Sequence, residues 1–153
     1  MHKEVKIILL VEDDEHDAFF FSRTIGRARI GSRIHHVEDG QAAVDYLSGR
    51  GGFSNRDRFP LPDLVFLDLK LPRRSGFEVL AWIRENPIDP PVIVSVLSSL
   101  FPEVDQSRAG LAGSHHYAIK PPTGELFQTL ADKFNLKWPP YTGPTGWGAI
   151  SPV

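Results

Sequence analysis

Nine residues in the middle of the chain constrain the fold more than any other stretch. The segment Leu64 to Pro72 reads LVFLDLKLP and carries one acid, Asp68, near the end of a short apolar run. Such a run predicts a strand that is buried on both faces, which is typical of a parallel sheet. Ligands of open α/β sheets bind beyond the carboxyl ends of the strands, so Asp68 lies where this fold places its chemistry.

Four more predicted strands alternate with helices along the chain. The strands are Lys6–Val11, Arg33–Val37, Val92–Leu97 and His115–Ile119. Between them, apolar residues recur at three- and four-residue steps, which predicts amphipathic helices. The predicted fourth helix, residues 102–111, has the weakest pattern. Strict alternation predicts an α/β fold with a doubly wound, five-stranded parallel sheet and helices on both faces.

Two stretches without periodicity fall outside the alternating units. Residues 48–62 are rich in Gly, Pro, Asn and Arg and are predicted to form a long loop. We expect residues 1–136 to form one domain and residues 137–153 to form a Pro/Gly/Trp-rich tail, whose sequence has no helical or strand period. The tail has four open interpretations: it covers the surface of the domain, extends a dimer interface, binds a partner or is disordered.

Composition excludes several classes of function. With no cysteine among 153 residues, disulfides, thiolate metal sites and cysteine nucleophiles are excluded. A formal net charge of -2 gives no electrostatic case for binding nucleic acid or an anionic membrane. The first apolar run, residues 5–11, is too short to cross a membrane and lacks a signal-peptide pattern. We therefore expect a cytoplasmic protein.

Polar side chains follow four of the predicted strands. In chain order they are Glu12, Asp13 and Asp14, then Asp68, then Ser98 and Ser99, then Lys120. Because parallel strands end at one edge of a sheet, these groups are predicted to share one rim. Crowded carboxylates repel one another unless a cation lies between them, and Mg²⁺ prefers such oxygen ligands. The set predicts metal-assisted phosphoryl transfer with Asp68 as nucleophile. Taken singly, each acid has the alternative role of a helix N-cap, and the lysine that of a solvated side chain.

The motifs together resemble the CheY-like receiver domain of response regulators, the phosphorylation target of two-component signalling. The matching segments are ILLVEDDEHDA, VEDGQAAVDYL, PDLVFLDLKLPRRSGFEVLAWIRE, PVIVSVLSS and HHYAIKPP. They cover residues 6 to about 134, with Ser98 thirty positions after Asp68 and Lys120 twenty-two after Ser98. The resemblance implies a flavodoxin/CheY-like fold.

The resemblance also implies a role for each matching residue. Asp68 is expected to accept a phosphoryl group from a histidine kinase, with Ser98 and Lys120 binding that group. The expected Mg²⁺ ligands are the side chains of Glu12, Asp13 and Asp68 and the backbone carbonyl of Lys70. Ser98 and Tyr117 are the expected switch residues, and Pro121 follows a peptide bond that is usually cis in the family.

The expected partners follow from the same resemblance. The long loop and the tail are similar to those of stand-alone receivers that work with phytochrome-type kinases. Phosphorylation is expected to repack the face made by the predicted fourth helix, fifth strand and fifth helix. That face and the tail are expected to support a homodimer, and the output is expected to be a downstream protein target or a phosphotransfer protein. We expect no enzyme activity beyond self-phosphorylation and slow autodephosphorylation.

Two other function classes compete with this interpretation. A pseudo-receiver that binds a partner without taking phosphate is disfavoured by the intact set of site residues. A phosphatase of the haloacid-dehalogenase type carries a second Asp two residues after its nucleophile, where this chain has Lys70. Two smaller questions stay open: whether Phe19 and Phe20 widen the core face of the first helix or contact the kinase, and whether Lys70 and Leu100 shield an acyl phosphate or Lys70 points to solvent.

Overall fold

A parallel β-sheet lies at the centre of this computed structural model, which describes residues 2–99, 113–143 and 150–153. The strands are β1 (Lys3–Glu4), β2 (Ile7–Val11), β3 (Arg33–Val37), β4 (Leu64–Asp68), β5 (Ile93–Ser98), β6 (His116–Ile119), β7 (Leu136–Lys137) and β8 (Ile150–Pro152). The helices are α1 (Glu15–Arg27), α2 (Gly40–Ser48), α3 (Gly76–Glu85) and α4 (Gly124–Phe134), with a short 3₁₀ turn at Gly51–Phe53.

The order of strands in the main sheet is β6-β5-β4-β2-β3-β8, and every pair is parallel. The five strands predicted from the sequence are confirmed. Every residue of β2 and β4 is buried, as the uninterrupted apolar runs predict. The predicted helix at 102–111 lies outside the described residues, as do Leu100 and Trp147.

Helices cover both faces of the sheet, which confirms the doubly wound fold. One face packs against α2 and α3, through side chains such as Leu47 and Leu80. The other face packs against α1 and α4, where the rings of Phe21, Phe66 and Phe127 meet at centroid distances of 4.9 to 6.0 Å. None of the helices in the described ranges has the length and apolar content of a membrane span.

The long loop after α2 is ordered by one arginine and a group of aromatic rings. The Arg56 guanidinium donates hydrogen bonds to the carbonyls of Tyr46, Leu47 and Phe59, at 2.7, 2.9 and 3.1 Å. Two of these carbonyls belong to the last turn of α2, whose carbonyls lack partners within the helix. The Tyr46 ring packs against Phe53 and Phe59 of the loop. The loop therefore closes the end of α2 and covers one edge of the core.

Two short strands lie in or at the start of the tail, although its sequence has no helical or strand period. Its last residues, β8, pair with the free edge of β3, and β7 pairs with β1. Backbone hydrogen bonds hold these short strands, whereas the sequence pattern reports only side-chain alternation. The division into residues 1–136 and 137–153 stays a prediction.

Trp138 connects the start of the tail to α4. Its indole Nε1–H donates to the Phe127 carbonyl at 3.0 Å, and the two rings meet edge to face at 5.6 Å. Residues near Trp138 also bond to the turn after α1, where the Gly31 N–H donates to the Pro139 carbonyl at 2.5 Å. These contacts place Trp138 against the same core as α1 and α4.

We predict that Trp138→Ala lowers the free energy of unfolding by about 2 kcal/mol, because a packed ring and a hydrogen bond are lost. Trp138→Phe keeps a ring and loses only the donor, so about half of that loss is expected. Urea unfolding of both variants measures the difference. Stabilities equal to wild type would place Trp138 outside the folded domain and support the boundary at residue 136.

Candidate functional site

The ammonium group of Lys120, just after β6, lies at the centre of a cluster of acids. Its Nζ atom is 2.5 Å from Glu12 Oε1 and 3.2 Å from Asp68 Oδ2. A third carboxylate oxygen, Asp17 Oδ2, lies 2.9 Å away. The Lys120 side chain is 10% exposed and that of Glu12 is 4% exposed, so water screens this attraction only weakly. The structure thus brings the predicted acids and the predicted lysine together.

Neighbouring strands fix the segment that carries Glu12. The Glu12 N–H donates to the Val37 carbonyl at 3.0 Å, and Nε2 of the buried His36 ring lies 2.7 Å from the Glu12 carbonyl oxygen. That oxygen only accepts, so His36 Nε2 carries the proton in this contact. Asp14 caps α1, accepting from the Asp17 N–H at 3.0 Å. Asp14 therefore has the capping role that was the alternative for all three acids.

A close approach of α3 positions Asp68 at the end of β4. Asp68 is 8% exposed, and its Oδ1 accepts a hydrogen bond from the Lys70 N–H at 3.2 Å. The Gly76 N–H donates to the Leu69 carbonyl at 2.9 Å, and a side chain at position 76 would collide with the Asp68 carbonyl oxygen. The backbone of Lys70 thus lies beside the carboxylate, while its side chain is exposed.

Three of the acids form a group that fits a metal ion. Glu12, Asp13 and Asp68 each offer a carboxylate oxygen, and these oxygens lie within 4.8 Å of one another. Carboxylate oxygens are the ligands that hard divalent cations prefer. Asp17 is not a member of this group, although it shares Lys120 with Glu12 and Asp68.

Burial raises the pKa of Glu12, whereas hydrogen bonds raise the pKa of Lys120. Burial raises the pKa of Glu12 from an ordinary value of 4.5 to about 7, against the hydrogen bond from Lys120. A carboxyl whose pKa rises on folding contributes stability at low pH, and that contribution is lost as the pH rises through 7. Burial disfavours the Lys120 ammonium, but hydrogen bonds to Glu12 and Asp17 outweigh it and raise the pKa of Lys120. The lysine therefore stays charged.

The remaining predicted residues border the cluster. Ser98 is 1% exposed at the end of β5, and its carbonyl accepts the Lys120 N–H at 2.9 Å. Tyr117 lies in β6 with its hydroxyl buried and without a hydrogen-bond partner among the described residues. The Lys120–Pro121 peptide bond is cis, as the resemblance implied.

The rim combines the acids Glu12, Asp13 and Asp68 with the lysine Lys120 and the serine Ser98. These residues lie at the ends of four parallel strands, where the resemblance led us to expect them. Residues 8–131 match the family model for the response regulator receiver domain. The chain belongs to this family. As a receiver, it is a regulator of phosphorelay signalling in a two-component system.

Two curated proteins are similar to this receiver in sequence. The receiver is 34% identical over 132 residues to the probable methanogenesis regulatory protein FilR2 of Methanothrix harundinacea, across 86% of this chain and 83% of that protein. It is 37% identical over 100 residues to the response regulator Rcp1 of Synechocystis sp., across 65% of this chain and 66% of Rcp1.

Solved structures of response regulators have the same fold as this receiver. The bacteriophytochrome response regulator RtBRR superposes with a TM-score of 0.77 at 31% identity, across 92% of this chain and 84% of that chain. The Mn²⁺-bound form of Rcp1 superposes with a TM-score of 0.71 at 28% identity, across 88% of this chain and 99% of that chain. The receiver is therefore similar to phytochrome-associated response regulators, as the long loop and tail suggested.

Sequence reasoning missed two residues of the receiver's site. Asp17 reaches Lys120 from the first turn of α1, and His36 holds the Glu12 carbonyl from β3. Asp17 is an acid in the first turn of α1, where the helix dipole favours acids in any helix, so its position gave no separate signal for the site. For His36 the sequence carries no signal, because the contact depends on the register between β2 and β3.

Two aromatic side chains of α1 lie on the receiver's surface. Phe19 is 42% exposed and Phe20 is 52% exposed, so the interpretation that they widen the core face was wrong. Phe20 also lines a cavity of about 220 Å³ beside the site, with Leu97, Asp17, Lys120 and Pro121 among the other lining residues.

Proposed function

We propose that Asp68 is the phosphoacceptor of this receiver. The observation that supports the assignment is the single ammonium group, Lys120 Nζ, that contacts both Asp68 and Glu12. A lysine held there neutralises charge that develops on a phosphoryl group arriving at Asp68. The buried position of Asp68 between β2 and β5 gives this carboxylate a fixed orientation.

We further propose that Mg²⁺ is the cofactor of the transfer. Glu12, Asp13 and Asp68 would hold it with their carboxylates, and Lys70 with its backbone carbonyl. The close spacing of the three carboxylate oxygens supports this ligand set. When bound, the ion supplies positive charge to the phosphoryl oxygens and offsets the repulsion among the acids. His36 would keep Glu12 in place through its backbone.

The donor in this proposal is a phosphohistidine of a histidine kinase. An oxygen of Asp68 attacks phosphorus, the P–O bond forms, the P–N bond breaks, and the imidazole leaves with its electron pair and takes up a proton. The same chemistry runs with small acyl phosphates, where a carboxylate leaves. The receiver does not turn over an external substrate in this scheme. Slow hydrolysis of the acyl phosphate on Asp68 returns the receiver to its resting state.

Ser98 and Lys120 would bind the phosphoryl oxygens once the acyl phosphate forms. Ser98 is buried at the end of β5 next to Lys120, and Tyr117 lies on the adjacent strand β6, opposite Val96. We propose that a small rotation of the Ser98 side chain towards the phosphoryl group changes the packing of Tyr117. Tyr117 has a buried hydroxyl, which makes its packing sensitive to such a change. We propose that this step transmits the signal to a downstream protein target or a phosphotransfer protein. Homodimer formation through the tail and the face of the predicted fourth helix, fifth strand and fifth helix stays a prediction.

We propose that the kinase is of the phytochrome type and contacts α1 at Phe20. The half-exposed ring lines the same cavity as Lys120, which contacts Asp68, so a partner bound there lies close to the site. Similarity to Rcp1 and RtBRR supports the choice of kinase class.

Acetyl phosphate with Mg²⁺ tests the phosphoacceptor. We predict one phosphoryl group per chain in the wild type and none in Asp68→Asn, because the amide is not a nucleophile for this reaction. Asp132→Asn, which changes an exposed acid on α4, serves as the matched control and should label like wild type. Intact-protein mass spectrometry measures the stoichiometry. No label on the wild type would indicate a pseudo-receiver, and continuous phosphate release would indicate a phosphatase.

Phosphotransfer from the cognate kinase tests the docking role of Phe20. We predict that Phe20→Ser slows transfer about ten-fold by removing an interface aromatic residue, while labelling by acetyl phosphate is unchanged. Val153→Ser removes an exposed apolar side chain elsewhere and should leave both rates unchanged. A normal kinase rate in folded Phe20→Ser would rule out the contact.

A further inference from the structure

Asp17 is the acid of the site that neither the family roles nor the metal cluster explains. Its Oδ2 accepts a hydrogen bond from Lys120 Nζ at 2.9 Å across 103 residues of sequence. Its backbone N–H is fixed by the Asp14 cap, so the first turn of α1 holds Asp17 towards the lysine. The inference below rests on the proposed function, because it concerns how Lys120 reaches a phosphoryl group on Asp68.

The Lys120 ammonium group has no spare hydrogen-bond donor in this structure. An ammonium group has three N–H donors and no acceptor. All three donors have carboxylate partners in this structure, namely Glu12, Asp17 and Asp68. A phosphoryl oxygen that binds Lys120 must therefore replace one of these partners.

The three carboxylates differ in the free-energy cost of losing their hydrogen bond to Lys120. Asp17 is 42% exposed, whereas Asp68 is 11% and Glu12 is 4% exposed. Water can solvate the Asp17 carboxylate once the ion pair breaks, because this side chain is already partly exposed. Glu12 is buried beside the lysine, and Asp68 is itself the residue that carries the phosphoryl group, so neither can turn to solvent as Asp17 can. Asp17 is the partner whose release costs least.

We propose that Asp17 is a positioning residue that holds Lys120 in the resting receiver and competes with the phosphoryl group for it. Before phosphorylation, Asp17 keeps the ammonium group close to Asp68 on the α1 side of the site. Phosphorylation moves one N–H of Lys120 from Asp17 to a phosphoryl oxygen, and Asp17 turns to solvent. The strength of the Asp17–Lys120 ion pair thereby sets part of the cost of entering the phosphorylated state.

Binding of beryllium trifluoride, a mimic of the phosphoryl group, tests this competition without turnover. We predict that Asp17→Asn binds BeF₃⁻ in the presence of Mg²⁺ about two- to five-fold more tightly than wild type, the range expected for one partly exposed ion pair. Glu15→Gln removes a charge from the same turn of α1 and should bind like wild type, which controls for net charge. Titration monitored by ¹⁹F NMR gives the affinities, and thermal melts of each variant confirm folding.

The sign of the change separates competition from a purely structural role. If Asp17 only fastens α1 to the lysine, Asp17→Asn loosens Lys120 and weakens BeF₃⁻ binding. Equal or weaker binding by Asp17→Asn would overturn the inference, as would tighter binding by Glu15→Gln to the same degree. A wild-type protein that binds no BeF₃⁻ while folded would instead contradict the proposed function itself.

Discussion

One ion-pair cluster holds the site together: a largely buried ammonium group, Lys120, surrounded by three carboxylates. Glu12 and Asp68 are too buried to lie this close as unpaired anions, because crowded charges with little water around them repel strongly. The lysine offsets that repulsion and ties the ends of β2, β4 and β6 to one point. A divalent cation bound by Glu12, Asp13 and Asp68 would share this task and leave Lys120 able to move.

The sheet makes this meeting possible. Parallel pairing sets Asp68 opposite Leu97, and Ser98 opposite Ile119, so the polar residues after each strand reach the same edge. The long loop and the tail contact other parts of the domain. Arg56 of the loop binds the end of α2, and β8 of the tail pairs with the edge strand β3. The core and the site therefore depend on the same strand register, and a slip of one residue would move the site groups off the rim.

The sequence predicted the five central strands and the acid–lysine rim because both leave local patterns. Uninterrupted apolar runs mark doubly buried strands, and a polar residue at the end of each run marks the site. The short strand β8 has no such pattern, since backbone bonds to β3 hold it. Phe20 sits next to the apolar stripe of α1, and only tertiary packing decides that its ring lies outside the core. The His36 contact depends on register in the same way.

The most direct measurement of the central claim is the stability of Lys120→Met at two pH values without divalent cations. The account predicts a loss of about 3 kcal/mol at pH 8, where the buried acids lose their counter-ion, and a much smaller loss at pH 5, where Glu12 holds a proton. Millimolar Mg²⁺ should restore most of the loss at pH 8, and the exposed control Lys137→Met should show neither effect. A loss of equal size at both pH values, or none, would contradict the account.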